Sequence, residues 1–239
     1  PRDTDEVSCV LGILSQEGVC AVPRGAGTGL SGGALADGDA VVIGTARMTD
    51  MLDLDPENRL ARVQPGMINA HLTTAAEPFG LYYAPDPSSQ IACSIGGNVA
   101  ENSGGAHCLK YGFTVHHVLG VEAVLPDGEL VHLGGQALDS PGLDLLGVLV
   151  GSEGTLAVVT KVTLRLVRRP EAVQTLLAAF DSTDAAGNAV SEIISAGIIP
   201  AAIEMMDRTT IRAAEAAVHP GFPDAEAVLI VELDGPQSE

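Results

Sequence analysis

The sequence has 239 residues, 46% of them apolar and 3% aromatic with no Trp, so Val, Ile, Leu and Ala must build the core. Lys and Arg number 12 against 31 Asp and Glu, and the net charge of −19 argues against nucleic acid and anionic membrane surfaces as partners. The apolar runs fall far short of the roughly 20 residues that a membrane span needs.

Four cysteines are present, and they show neither a Cys-x-x-Cys pair nor a zinc-ligand spacing. We therefore predict free, buried thiols in a reducing cytoplasm. No signal peptide is recognisable. The sequence begins without Met, in what reads as the middle of a domain, so we expect a fragment of a longer protein.

In the first third of the chain, the sequence pattern predicts a helix, two strands, a hairpin and a second helix. Thr4 or Asp5 can cap the first helix, which runs to about Gln16. "VCAV" predicts a strand that leads into a glycine-rich loop, and "AVVIGTA" predicts the next strand. "MLDLD" and "RLARVQPG" predict a hairpin. A helix from Ile68 to about Pro78 follows.

The stretch "YYAPDPSSQIACSIGGNVAENSGGAHCLKYG" is predicted to be irregular, and loops of this length in compact domains are usually functional. "LGVEAVLPDGELVHLGG" predicts a hairpin that turns at Asp127-Gly128, and "GTLAVVTKVTLRLV" predicts a strand. After Arg168-Arg169-Pro170 the pattern becomes β-α-β-α-β, from "AVQTLLAAF" to "AVLIVELDG". We predict a domain boundary near 169–171.

The segment "GTGLSG", residues 27–32, matches the dinucleotide fingerprint G-x-G-x-x-G. A Rossmann loop opens a helix, whereas here Asp37-Gly38-Asp39 forms a turn and a strand begins at once. No Gly-Lys-Ser/Thr follows, which excludes a Walker loop. The loop should therefore join two strands directly, with glycines that let backbone N–H groups approach a phosphate. A tight β-turn without a ligand is the alternative.

A second small-residue segment, "SIGGNVAENSGG", contains Asn98 and Asn102, whose amides can both donate and accept. No Lys or Arg lies between Arg62 and Lys110, or between Lys110 and Lys161. A phosphate bound here must therefore rest mainly on backbone N–H groups. The two segments together predict a large, polar, phosphate-bearing ligand that lies across both.

Four segments resemble the FAD-linked oxidases of the vanillyl-alcohol-oxidase or para-cresol-methylhydroxylase type: "VPRGAGTGLSGG", "APDPSSQIACSIGGNVAENSGGAHCLKYG", "VLGVEAVLPDGELV" and "GLDLLGVLVGSEGTLAVVTKVTLRL". Within this family the likeness is to the FAD subunit of glycolate oxidase and to D-lactate and D-2-hydroxyglutarate dehydrogenases. The resemblance implies an α+β fold. Residues 1–169 would be an FAD-binding domain of two α+β subdomains without its first segments, and 170–239 the beginning of an α+β cap domain.

The resemblance also implies how FAD is held. Some family members attach FAD covalently through a His where Thr28 stands, so non-covalent FAD is expected here. The glycine loop would bind the pyrophosphate, the second segment the flavin and ribityl portion, and the main chain around 153–159 the adenosine end. The implied cofactor-binding residues are Arg24, Gly25, Ala26, Gly27, Thr28, Gly29, Gly33, Ala34, Pro87, Ser88, Ser94, Gly97, Asn98, Asn102, Gly104, Glu153, Gly154, Val158 and Val159.

The implied reaction is oxidation of a 2-hydroxy acid, such as glycolate or D-lactate, to the 2-oxo acid. Hydride passes to flavin N5 while a base takes the hydroxyl proton. The electrons go on to an iron–sulfur subunit, an electron-transfer flavoprotein or a quinone. A non-catalytic FAD-binding or assembly subunit is the alternative, and a sugar lactone or aryl alcohol is another substrate on the same scaffold. The resemblance is compatible with a homo-oligomer or a hetero-complex, in the cytoplasm or attached to a membrane through a partner subunit.

The family's substrate-clamping Arg, its His/Glu site and any divalent metal would lie in the later cap domain, outside this chain. We therefore expect the chain alone to bind FAD poorly and not to turn over. The catalytic base is unidentified, with Lys110 and Glu204 as weak candidates.

Several single residues have two interpretations each. Lys110 could lie near the flavin or substrate carboxylate, or be solvated. Arg24 could touch a phosphate or pair with a surface carboxylate, and Glu204 could face the site or water. His107 is a loop residue whose sequence context shows no evident partner, and it could lie beside FAD. His116-His117 is not a convincing metal pair, because the two residues are expected on a strand, where neighbours point to opposite faces.

Overall fold

A computed structural model describes residues 1–36, 38–136 and 142–237. Asp37, the first residue of the turn predicted at Asp37-Gly38-Asp39, lies outside the described residues. The α-helices are α1 Thr4–Gln16, α2 Asn69–Ala76, α3 Ile95–Glu101, α4 Cys108–Tyr111, α5 Leu145–Leu149, α6 Thr183–Ser195 and α7 Arg208–Val218. Short 3₁₀ helices span Glu77–Phe79 and Thr114–His116.

The strands are β1 Ala21–Arg24, β2 Val41–Gly44, β3 Met51–Asp55, β4 Leu60–Val63, β5 Leu81–Tyr82, β6 Val118–Val124, β7 Leu130–Gly134, β8 Val158–Arg165, β9 Val167–Arg168, β10 Ala172–Phe180, β11 Ala202–Asp207 and β12 Ala227–Gly235. Residue contacts divide the chain into two compact units. The N-terminal unit contains residues 1–105 and 112–169, and the C-terminal unit contains 106–111 and 170–239.

The main sheet of the N-terminal unit is antiparallel, with the strand order β3-β4-β8-β6-β7. Both predicted hairpins are present, as β3 with β4 and β6 with β7. Every residue of β6 is buried, because one face of this inner strand packs against the main core and the other is covered by α1. The main core includes Leu72 of α2 and Val99 of α3, so the sheet places these two helices.

Helix α1 packs on the sheet through Val7 and Leu11, which meet Val124 and Val158 in a smaller core cluster. The helix spans the predicted residues, but its N-cap is Asp3 rather than Thr4 or Asp5. The Asp3 side chain accepts a hydrogen bond from Glu6 N at 2.8 Å. Thr4 is instead buried, because its hydroxyl is directed at the sheet.

The stretch predicted to be irregular contains helix α3, so that prediction was wrong in part. Two glycines in the first turn of α3 weaken its helical signal. Tertiary hydrogen bonds compensate, since Ile95 N donates to Met67 O and Gly96 N donates to Pro65 O. A side chain at Gly96 would collide with Pro65, so the glycine permits this close approach.

The C-terminal unit has an antiparallel sheet with the strand order β10-β12-β11. Helix α6 packs on this sheet, and the unit's own core contains Ala186 of α6 with Leu229 and Val231 of β12. Its elements follow the predicted β-α-β-α-β order.

The four cysteines, all within the described residues, form no disulfide, but contrary to the prediction they are not all buried. Cys9 and Cys20 are exposed, Cys108 is half-buried and Cys93 is buried. Helix α1 buries Thr4, Val7 and Leu11, and Cys9 lies on its exposed face. Over the described ranges, no helix is long and apolar enough to cross a membrane.

Glu122 on β6 fixes α1 to the sheet through a buried polar network. Its carboxylate accepts from Thr4 Oγ1 at 2.5 Å and from Lys161 Nζ at 2.7 Å, and His132 Nδ1 lies 3.8 Å away. Burial raises the pKa of Glu122. The hydrogen bonds from Lys161 and Thr4 and the nearby positive charge outweigh burial, so the net pKa lies below its ordinary value.

We expect Glu122→Gln to lower the free energy of unfolding at neutral pH by about 1–3 kcal/mol, because Lys161 loses its carboxylate. The folded-state pKa is lowered, so the charged form stabilises the protein above the unfolded pKa of about 4.3. This contribution disappears as the pH falls through the folded pKa. Urea unfolding at pH 7 and at stepwise lower pH should therefore show a flatter acid limb in Glu122→Gln than in wild type.

The exposed Glu129 is the control, because Glu129→Gln should leave both the stability and the acid limb unchanged. An acid limb of equal steepness in Glu122→Gln and wild type would contradict this role of Glu122.

Candidate functional site

The two glycine-rich segments found in the sequence meet in space. A Cβ on Gly25, at the start of the first loop, would overlap Ser94 Oγ and would lie 3.5 Å from Gly97 N. Ser94 is the N-cap of α3 and accepts from Gly97 N at 3.3 Å. The loop after β1 therefore lies directly against the first turn of α3, because Gly25 has no side chain.

The loop joins two strands without a helix in its described residues, as the sequence predicts. Strands β1 and β2 are parallel and paired from Ala21 with Val41 onward. The pairing extends to Thr45 N, which donates to Arg24 O at 3.0 Å. Gly27 and Gly32 have positive φ angles of 71° and 84°, a conformation that favours glycine. The geometry excludes a Rossmann loop.

Free backbone donors lie on the loop and not on α3. Within the described residues, the amides of Ala26 to Gly29 have no hydrogen-bond acceptor. In the first turn of α3, by contrast, the amides of Ile95, Gly96 and Gly97 all have acceptors. An anion in this cleft would therefore find its backbone donors on the glycine loop.

A cleft between these segments brings together most of the sequence-predicted cofactor residues. The predicted residues that line it are Arg24, Gly25, Ala26, Gly27, Thr28, Gly29, Gly33, Ala34, Ser94, Gly97, Asn98, Glu153, Gly154, Val158 and Val159. Sequence reasoning missed further lining residues, among them Ser89, Cys93, Glu101, Ser103 and Leu149. Ser89, Cys93 and Glu101 lie within or beside the quoted motifs, so a wider reading of those motifs would have included them.

Four predicted residues, Pro87, Ser88, Asn102 and Gly104, are not part of this lining. Asn102 ends α3 in the left-handed conformation, with φ of 48°. Its Oδ1 accepts from Val115 N at 2.9 Å, so its amide fixes the following turn. Pro87 O accepts from Gln90 N at 2.7 Å, in the turn before the lining residue Ser89.

The charges around the cleft are few and of both signs. Arg24 is exposed at the end of β1, and it is the cation among the described lining residues. Glu101 Oε1 lies 3.3 Å from the position of a Cβ on Gly29, and Glu101 also accepts from Ser31 Oγ at 3.4 Å. Glu153 carries the second lining carboxylate and has a left-handed φ of 55°. A bound phosphate would therefore depend on the loop amides and Arg24.

Asn69, which the sequence motifs did not single out, joins three segments around the cleft. It is fully buried, its Oδ1 accepts from Asn98 Nδ2 at 3.0 Å, and its Nδ2 donates to Pro85 O at 3.1 Å. Asn69 N also donates to Cys93 O. Asn69 begins α2, where a sequence pattern indicates only a helix start, and its partner lies 29 residues away.

The remaining single candidates lie elsewhere. Lys110 forms an ion pair with Asp234, and His107 Nε2 lies 2.9 Å from Glu232 Oε1, both within the C-terminal unit. Glu204 is exposed on β11, opposite Ile230.

His116 and His117 do not lie on a strand, contrary to the prediction. His116 ends a 3₁₀ helix and its Nδ1 accepts from Phe113 N at 3.0 Å, while His117 is fully buried. Over the described ranges, no cluster of His, Cys, Asp and Glu has a metal-binding arrangement.

Family models match both parts of the chain. The model for an FAD binding domain matches residues 1–134, and the model for the C-terminal domain of FAD linked oxidases matches residues 169–239. The chain belongs to the FAD-linked oxidases. The predicted family is therefore confirmed.

Curated relatives extend this likeness over the full chain. Glycolate oxidase subunit GlcD of Escherichia coli K12 is 55% identical over 240 residues, which cover 100% of this chain and 48% of the relative. D-lactate dehydrogenase of Archaeoglobus fulgidus is 38% identical over 216 residues, which cover 90% of this chain and 48% of the relative. A D-2-hydroxyglutarate dehydrogenase also matches. The chain thus spans about half the length of the first two of these relatives.

The fold is shared with a solved structure of alkyldihydroxyacetonephosphate synthase, at a TM-score of 0.86 and 23% identity. The match covers 100% of this chain and 47% of that structure. The predicted fold class, an α+β FAD-binding domain followed by part of an α+β oxidase domain, is confirmed.

The residues of the cleft fit FAD. The glycine loop offers a pyrophosphate amides that have no other hydrogen-bond acceptor among the described residues. Because glycines have no side chain, the loop backbone can approach the phosphates closely. The lining also includes residues of α3 and, beyond them, Val158 and Val159 at the start of β8. Position 28 is Thr, which has no nitrogen through which a flavin could be attached.

We expect Gly25→Ala to weaken FAD binding at least tenfold, because the new Cβ would push the glycine loop away from Ser94. Titration with FAD of the protein at the full length of its relatives, followed by quenching of flavin fluorescence, measures the change. Gly44→Ala is a matched control at the end of β2, since nothing lies within 4 Å of its Cβ and its φ is not positive. Equal affinity in Gly25→Ala and Gly44→Ala would contradict the close-approach argument.

We expect Asn69→Ala to lower the free energy of unfolding by about 1–3 kcal/mol, because Asn98 Nδ2 loses its buried acceptor. FAD affinity should fall as well, since Asn98 lines the cleft. Chemical denaturation and FAD titration check the two effects. Asn188→Ala, on the exposed face of α6, should change neither.

Proposed function

We propose that the chain is the FAD-binding part of an enzyme that oxidises a 2-hydroxy acid to a 2-oxo acid. The observation that carries this proposal is the 55% identity to a glycolate oxidase subunit over the whole chain, including both segments that form the cleft. Another relative is a D-lactate dehydrogenase. Glycolate and D-lactate are both 2-hydroxy acids, which supports this substrate class. Because the chain spans about half of these relatives, the activity concerns a longer protein.

The proposed roles of the residues follow from the cleft. The amides of the glycine loop and the Arg24 guanidinium would hold the pyrophosphate. Asn98, fixed by Asn69, and Ser94 would line the flavin and ribityl portion, and the main chain of Glu153, Gly154, Val158 and Val159 would hold the adenosine end. FAD would be dissociable because of Thr28. When bound, FAD supplies hydride acceptance at N5.

The chemistry removes hydride from C2 of the acid and the proton from its hydroxyl, and leaves the 2-oxo acid and two electrons for a separate acceptor. Candidate acceptors are an iron–sulfur subunit, an electron-transfer flavoprotein or a quinone. The relatives named as glycolate oxidase subunits support a hetero-complex. A cytoplasmic location, with or without attachment to a membrane through a partner, also stays a proposal.

The test uses the protein at the full length of its relatives. We expect a visible flavin spectrum that moves into the supernatant after acid precipitation, because the flavin is not covalently bound. Anaerobic addition of glycolate or D-lactate should bleach the flavin. A 2-hydroxy acid without a hydrogen on C2, such as 2-hydroxyisobutyrate, is the matched control and should leave the spectrum unchanged.

A colourless protein that FAD cannot reconstitute would overturn the enzyme and favour a non-catalytic assembly subunit. A bound flavin that no 2-hydroxy acid bleaches would support FAD binding but exclude this substrate class. We also expect the 239-residue chain alone to bind FAD weakly and not to turn over, and tight FAD binding by it would contradict that prediction.

A further inference from the structure

Residues 106–111, here the 106–111 segment, belong to the C-terminal unit, although the residues on both sides belong to the N-terminal unit. The chain leaves the N-terminal unit after Gly105 and returns to it at Gly112. Neither position accommodates a side chain. A Cβ on Gly105 would lie 2.5 Å from the carbonyl group of Asp86, and Gly112 has a φ of +84° with His116 Nδ1 2.5 Å from its Cβ position.

Two carboxylates of β12 hold the segment. Lys110 Nζ forms an ion pair with the Asp234 carboxylate and donates to Asp234 O at 2.8 Å. Tyr111 OH donates to Asp234 Oδ2 at 2.5 Å. Glu232 Oε1 accepts a hydrogen bond from His107 Nε2 at 2.9 Å. Residues 232 and 234 lie two positions apart on one strand, so their side chains share a face.

The Asp234 carboxylate is buried, with 3% of its side chain exposed, whereas Lys110 is 31% exposed. A buried carboxylate depends on its partners for the stabilisation that water would otherwise give. Asp234 therefore favours the conformation in which Lys110 and Tyr111 are both in place. The segment contributes the Lys110 ammonium and the Tyr111 hydroxyl, and β12 contributes the Asp234 carboxylate that binds both.

The same stretch of chain forms a wall of the cofactor cleft. Ser103 lines the cleft, two residues before Gly105. Ser103 N donates to Asn98 O at 2.9 Å, and Ser103 O accepts from both Thr114 N and Thr114 Oγ1. The wall is thus fixed on one side by Asn98 and on the other by the residues after Gly112. Its continuation, residues 106–111, is fixed by β12.

We propose that Asp234 and Glu232 clasp the 106–111 segment, and that Lys110, Tyr111 and His107 are positioning residues that hold the Asn98–Ser103 wall of the cleft through the chain. In this assignment Lys110 forms an ion pair with Asp234 and does not bind the substrate carboxylate. The effect on flavin binding rests on the function proposed above, whereas the clasp itself exists without FAD.

Hydrogen exchange of the FAD-free chain, read by mass spectrometry, tests the clasp directly. Lys110→Ala and Asp234→Ala should each speed exchange of the amides in 102–114 roughly tenfold, while strand β6 stays unchanged. In the double variant the effects should not add, because each single change already breaks the same contact. Additive effects, or unchanged exchange in 102–114, would overturn the clasp.

Three further variants separate the clasp from general destabilisation. Lys110→Arg keeps the charge and should restore most of the protection, and Tyr111→Phe removes only one hydroxyl and should give a smaller effect. Arg208→Ala breaks an ion pair with Glu226 within the same unit and should leave 102–114 unchanged. If Lys110→Ala fails to fold, Lys110→Arg and Tyr111→Phe decide the outcome in its place.

Kinetics of the full-length, FAD-loaded protein distinguish the clasp from a substrate ligand. The clasp predicts that Lys110→Ala loosens FAD, with a Kd several-fold higher, alongside faster exchange in 102–114. A substrate ligand predicts a higher KM with unchanged exchange and unchanged FAD affinity, which would overturn the assignment of Lys110. If the wild type holds no flavin, the proposed function fails but the exchange result still decides the clasp.

Discussion

The absence of a side chain at Gly25 is the constraint on which the cleft depends. It lets the loop after β1 lie against Ser94, and Ser94 in turn caps the helix that forms the opposite wall. A Cβ here would meet a side chain that cannot move without uncapping α3. The loop can therefore present its amides to a ligand only because two segments about 70 residues apart in sequence are packed almost backbone to backbone.

Charge explains why the donors must come from the backbone. The chain carries a net charge of −19, and the described lining of the cleft offers Arg24 against the carboxylates of Glu101 and Glu153. Side chains alone would repel a pyrophosphate. Backbone N–H groups carry partial positive charge and do not titrate. They can therefore bind an anion in an acidic protein without additional Lys or Arg side chains. The amides of α3 are already bonded, which leaves this role to the loop.

Much of the fold could be predicted because its signals are local. Strands β3 and β4 flank a short turn and pair as a hairpin, and Asp127-Gly128 marks the turn of the second hairpin. The glycine loop could be distinguished from a Rossmann loop because a strand follows it at once. Helix α3 escaped prediction because its two glycines have low helix propensity, and its stabilising partners, Met67 O and Pro65 O, come from another segment. Asn69 escaped for the same reason, since its partners are tertiary.

The 106–111 segment shows the limit of sequence reasoning most clearly. Lys110 is the only Lys or Arg between Arg62 and Lys161, so it invites assignment to an anionic ligand. Its partner, Asp234, lies 124 residues away, and no local pattern connects them. Because Asp234 is buried, its carboxylate depends on the Lys110 ammonium as a partner. The resulting ion pair has no net charge, so it does not attract another anion. That leaves Arg24 and the loop amides as the described positive groups of the cleft, so a phosphate bound there would depend on these groups and not on Lys110.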